Sequence, residues 1–220
     1  MTVVGVSEAA RRLGVTPRRV RQMIADRKLP ARRVGRVWAI SERDLRSVSR
    51  RPAHRPWKPA SAWAVLAAAE GTVPPSLSAY ERHRARQRLK EGLPNIVTLL
   101  AERAHRRTFY VHPSDVDRIL NIAGVVRTAA SAAAEHDIDL IGPGPEEVYV
   151  SESTLAQIAA SCHMEERPER PNLVMRVVAD PHWPFAEDAA VAPAAVAAVD
   201  LLESDNDRAR RAGSRLLESL

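Results

Sequence analysis

The sequence predicts an α+β chain, mostly helical, in which a small basic N-terminal module of helices and a β-hairpin precedes a larger region of mixed α and β structure. Three observations lead there. Within the first 48 residues, stretches of helical periodicity give way to a stretch that alternates like a strand pair. Alanine is abundant while aromatics supply only 4 % of the chain, which favours helices. Charge is also divided along the chain: residues 1–60 hold 16 Lys+Arg against 4 Asp+Glu, residues 61–125 hold 9 against 6, and residues 126–220 hold 8 against 17. A basic end suits a polyanion, and the acidic end must do something else. The 45 % apolar content of 220 residues is enough for real cores. The single cysteine, Cys162, excludes an intramolecular disulfide framework and fits a reducing cytosol. No segment has the length of a membrane span and the N-terminus lacks a signal-peptide core, so the expected location is cytoplasmic, without membrane contact.

In residues 1–49, Ser7 is the expected N-cap of a short helix buried through Ala9, Ala10 and Leu13 and closed by Gly14. Thr16 caps a second helix with Pro17 at its first position, where a missing N–H costs nothing. Val20, Met23 and Ile24 form its buried stripe, which leaves Arg18, Arg19, Arg21 and Gln22 on the outer face. Two helices joined by so short a turn, the second basic on its exposed side, fit a helix-turn-helix. Residues Arg32 to Ile40 alternate like a hairpin turning at Gly35, a wing. Ser41 then caps a last helix in which Leu45 and Val48 close the core, with Trp38 and Ile40 packing from the hairpin.

The order of alanine-rich helix, LGVTP turn, arginine-rich helix, LPARRVGRVWAI hairpin and SERDL helix resembles the excisionase-like or MerR-like winged helix. That resemblance implies double-stranded DNA as partner. Arg18, Arg19 and Gln22, with Thr16, Pro17 and Arg21 beside them, would face base edges or phosphates, and Arg33 and Arg36 would approach an adjacent groove. Taken singly, each arginine is more readily a phosphate contact than a reader of sequence.

Residues 50–60 combine three prolines with five basic residues and read as a linker or a backbone-contacting arm. Residues 61–125 read as a helical or mixed subdomain. Helices are expected at Ala62–Ala69 and Leu77–Leu89 around the breaker at 71–76, then a helical period at Pro94–Ala104, a strand at Thr108–His112 and a helix from Pro113 to Leu120. The alternate cations Arg82, Arg84, Arg86, Arg88 and Lys90 point to different sides, so a solvated helix is the simpler reading than a second nucleic-acid contact. Residues 126–220 should give an alanine-rich helix at Ala129–His136, a rigid GPGP loop at 142–145 and a strand at Val148–Val150. After these come a helix at Ser151–His163 buried through Leu155, Ile158 and Ala159, a strand at Leu173–Val178, and helices at Pro193–Leu202 and Asp207–Leu217.

The strings PNLVMRVV, HWPF and APAAVAAVDLLESDNDRARRAGSRLLESL resemble the C-terminal part of type IV antitoxins of the abortive-infection E kind. This implies an antitoxin-like C-terminal region that counteracts a nucleotidyltransferase-like toxin from the adjacent gene, joined to an autorepressor that binds operator DNA, with a homodimer as one arrangement. The family's usual winged helix is less arginine-rich than this one.

The residues with reactive side chains have plainer explanations. Asp137 and Asp139 form an Asp-x-Asp pair, but they follow a helix-like alanine run where a nucleotidyltransferase needs a glycine-serine turn. Cys162 and His163 are helix neighbours pointing about 100° apart, and no second cysteine joins them for zinc. Trp183, beside His182, reads as loop packing. Without a glycine-rich phosphate cradle or a serine elbow, the chain reads as non-enzymatic, with no cofactor and no metal. The leading expectation is therefore a DNA-binding antitoxin and autorepressor. An ordinary regulator with a ligand-sensing or oligomerisation domain is the alternative, and a nucleotidyltransferase using Asp137 and Asp139 comes third.

Overall fold

A computed structural model describes residues 3–13, 15–26, 28–35, 37–42, 44–45, 55–72, 74, 77–140 and 144–220. The expectations for Gly14, Arg36, Val48, residues 50–54, parts of the 71–76 breaker and residues 142–143 lie outside the described residues. The chain divides into two units, 1–55 and 56–220.

The N-terminal unit packs two helices, α1 (Val6–Leu13) and α2 (Pro17–Ala25), on a three-stranded antiparallel sheet ordered β1 (Val3–Val4), β3 (Val37–Ser41), β2 (Arg32–Val34). Its core gathers Val4, Ala9, Ala10, Val20, Leu29, Ile40 and Leu45, with Leu13, Met23 and Ile24 packed at the edge. Helix α1 starts one residue before Ser7, so Ser7 lies in the first turn and not at the cap; the Gly5 carbonyl accepts from the Ala9 N–H at 2.9 Å. Trp38 is only half-buried. Ser41 does cap: its Oγ accepts from the Asp44 N–H at 3.1 Å and donates to the Asp44 carboxylate at 2.6 Å.

In the second unit a five-stranded sheet is ordered β5 (Val126–Arg127), β6 (Glu146–Ser151), β8 (Leu173–Val178), β4 (His105–Val111), β7 (Met164–Glu166). Only the β6–β8 pair is parallel. Both faces of that pair are covered, so all six residues of β8 are buried, Arg176 among them. On one face Val148, Val150, Leu173, Met175 and Val177 pack with Phe109 and with α6 (Pro113–Leu120) and α7 (Glu152–Ser161). The alternate residues Tyr149 and Val178 pack on the other face with α3 (Pro59–Ala69) and α8 (Ala194–Leu202). Because β4 belongs to the 61–125 span and pairs with β8, the two spans read separately in sequence share one sheet.

The remaining helices are α4 (Ala79–Leu89), α5 (Leu93–Ile96), which continues as a 3₁₀ turn over Val97–Arg103, and α9 (Asp207–Glu218). Helix α4 opens with a complete capping box between Ser78 and Glu81. Pro59 and Ala60, expected in the linker, form the first turn of α3, and the Trp57 N–H is held by the Leu99 carbonyl at 2.8 Å. The alanine run at 129–136 is two short 3₁₀ turns, Ala129–Ala132 and Ala134–His136, instead of an α-helix. Tertiary ties override propensity there: the Thr128 N–H bonds the Glu147 carbonyl, Ser131 Oγ accepts from the Glu147 N–H at 2.7 Å, and Ala129 sits at φ 50°. Helix α7 buries Leu155 and Ile158, but Ala159 faces solvent and Cys162 is half-buried just past the helix end.

Candidate nucleic-acid interface

Helix α2 is held by the residues that its sequence marks. Thr16, extended at φ −75° and ψ 152°, accepts from the Arg19 N–H at 3.2 Å, Pro17 fills the first position, and Val20 is fully buried. Turning Val20 inward leaves Arg18, Arg19, Arg21 and Gln22 exposed. Gln22 Nε2 donates to Asp26 Oδ1 at 2.7 Å, so its amide is engaged in the free protein.

The neighbouring arginines behave differently. Arg11 forks onto Glu8, and Arg12 bridges Glu8 and Glu42 at 2.6 and 2.8 Å. Hydrogen bonds from Arg11 and then Arg12 hold the Glu8 carboxyl below its ordinary range, while Glu42 and Glu8 raise Arg12. Arg18, Arg19 and Arg21 form no ion pair among the described residues. The charge on α1 is thus neutralised internally, and that on α2 is left for an external anion.

The hairpin adds a second cationic element. Gly35 at φ 59° supplies the left-handed position of a two-residue turn between Val34 and Val37. The register sets Arg33 opposite Trp38, on the face of β3 that carries the buried Ile40, and Arg32 opposite Ala39 on the other face. Both arginines are exposed and unpaired among the described residues. Arg32 was not singled out by sequence, although two adjacent arginines in a strand necessarily serve both faces. Val34 and Val37, which flank the turn, are 53 and 61 % exposed.

In the second unit the sequence-flagged acids stay apart from any cluster. Asp137 and Asp139 are exposed, Asp137 in the left-handed region, and Asp139 pairs with Arg208 at 3.4 Å. Among the described residues no three metal-ligating side chains converge. Burial raises the Cys162 thiol, which donates to the Ile158 carbonyl, while His163 faces solvent. Trp183 packs edge-on against Phe185 with centroids 5.1 Å apart, and Phe185 in turn meets Trp63 and Tyr149.

Sequence reasoning missed a buried charge network. Arg103, 1 % exposed, donates to the Tyr149 hydroxyl at 3.0 Å, to Asp200, and through two nitrogens to Glu203 at 2.7 and 2.9 Å. Arg176 reaches Glu203 at 2.6 Å, Asp200 at 3.1 Å and Glu147 at 2.7 Å. Thr128 and Tyr149 donate to the Asp200 carboxylate. Burial by itself would raise the Glu203 carboxyl, but Arg103 and Arg176 outweigh it and hold the group at about 2. Burial also drives the Tyr149 phenol well above its ordinary value. With every member partnered and the charges nearly balanced, the network fastens α8 to the sheet and offers no free acid or base. Asp200 and Glu203 come from the VDLLESDNDR string, so that signature has a structural task.

No solved structure matches the chain. A protein of Thermus thermophilus described as a probable plasmid-partitioning protein ParA is 60 % identical over 42 residues, a match covering 19 % of this chain and 13 % of that protein. The chain therefore spans only a small part of the length of that relative. Residues 3–48 match a family described as a helix-turn-helix domain, and this similarity of the N-terminal unit supports DNA binding by the chain.

Proposed function

We propose that this chain is a transcriptional autorepressor and antitoxin: its N-terminal unit binds operator DNA through α2 and a β2–β3 wing, and its C-terminal unit counteracts a nucleotidyltransferase-like toxin encoded beside it. The observation that carries the DNA half is the row of exposed, unpaired arginines on α2, next to a helix whose own arginines are already neutralised. A helix in the major groove uses such a row on phosphates and on guanine edges, and the wing arginines extend the footprint. The antitoxin half is supported by the resemblance of the C-terminal strings to abortive-infection E antitoxins. The likeness to the partitioning protein covers too little of either chain to carry a role in partition.

Growth rescue on co-expression with the adjacent gene tests the antitoxin half. Rescue by the parent and by an Arg18→Ala/Arg19→Ala variant is the expected result. Failure of both would leave a DNA-binding regulator without an antitoxin role.

A further inference from the structure

The second unit carries a cationic cleft of its own. Tyr80, Arg84 and Arg88 follow at four-residue spacing on α4, so they share one face. That face borders a cleft of about 400 Å³ against α3, floored by Ala64 and Leu77 with Ser61 at its side. Neither Arg84 nor Arg88 forms an ion pair among the described residues. The carboxylate lining the cleft, Glu81, is committed to the helix cap, accepting from the Ser78 N–H at 2.9 Å and the Ser78 hydroxyl at 2.7 Å.

Both guanidiniums are positioned by aromatic rings. Arg88 lies over the Trp57 ring at 4.2 Å, and Arg84 donates to the Tyr80 hydroxyl at 3.4 Å. Partial burial and the nearby Arg84 both disfavour the charge on Arg88, so an anion in the cleft would relieve two unfavourable interactions together. Paired guanidiniums match phosphate oxygens in charge and geometry. Tyr80, 67 % exposed at the cleft mouth, offers a ring on which a base can stack, and small apolar side chains floor the space beside it.

We propose that the α3–α4 cleft binds a nucleoside phosphate, with Arg84 and Arg88 on the phosphate and Tyr80 against the base, the ligand being a free nucleotide or the exposed end of a nucleic-acid strand. This site is independent of the helix-turn-helix. The test is titration of the full chain with each nucleoside triphosphate and with short single-stranded oligonucleotides, read by tryptophan fluorescence, since Trp57 lies beneath Arg88, and by calorimetry. Saturable binding is expected, weakened about tenfold or more by Arg84→Ala and by Tyr80→Ala, and preserved in Arg18→Ala/Arg19→Ala. Both substitutions are at exposed positions, and comparison of triphosphate with oligonucleotide identifies the source of the phosphate. Absence of saturable binding, binding unchanged in Arg84→Ala, or displacement of nucleotide by an acidic peptide at equal concentration would each overturn the proposal, the last in favour of a protein partner.

Discussion

At the scale of single residues, the arginines paired within the fold contrast with Arg18, Arg19 and Arg21, which form no ion pair among the described residues and which the proposed function places on DNA. Arg18→Ala or Arg19→Ala is expected to weaken operator binding by about 1–3 kcal/mol where the residue reads a base bidentately, and by less where it meets phosphate alone. Arg32→Ala should weaken binding to all sequences alike and lower the salt dependence by about one counterion, as titrations at several salt concentrations would show. The α2 arginines were legible because a helix with Val20, Met23 and Ile24 inside leaves them nowhere else to point. Arg103 and Arg176 were not, because their acidic partners lie far along the chain; the single hint was Arg176 inside the apolar run LVMRVV. Glu203 supplies a pH prediction. Its carboxyl lies at about 2 in the folded chain against an ordinary 4.5, so the unfolded chain takes up the proton first. The stability it contributes is present above pH 4.5 and is lost as pH falls toward 2. Urea unfolding measured from neutral to acidic pH should show that decline in the parent, and Glu203→Gln should flatten it while lowering stability at neutral pH.

Among elements, α8 and α9 are joined by close backbone approach. A Cβ at Gly213 would stand 2.7 Å from the Ala198 carbonyl oxygen and 2.9 Å from Leu201 Cβ. In an open helix Gly→Ala would add up to about 1 kcal/mol of stability. Here backbone blocks the added methyl, so Gly213→Ala should destabilise by about 1–3 kcal/mol, visible as a lowered melting temperature. Helix α2 was readable from its start signals, Thr16 and Pro17; α4 and α7 were read as helical spans, and the structure supplies their caps at Ser78 with Glu81 and at Ser151. Elements defined by distant partners were not. The alanine run at 129–136 favours an α-helix locally, but packing and the bonds at Thr128 and Ser131 draw it into 3₁₀ turns. Strand β1 is only two residues long and exists through its pairing with β3.

Over the whole molecule charge is segregated: the unit matched by the helix-turn-helix family carries the basic excess, and acids of the C-terminal span neutralise the buried Arg103 and Arg176. That segregation was legible from counting residues. The shared sheet of the 61–125 and 126–220 spans was not, since local periodicity says nothing about which strands pair. The central claim is that α2 carries DNA recognition, and the most direct test is the salt dependence of binding to the DNA upstream of the gene, parent against Arg18→Ala/Arg19→Ala. The expected result is weaker binding with a log–log salt slope shallower by about two. An unchanged affinity and slope would contradict recognition by α2.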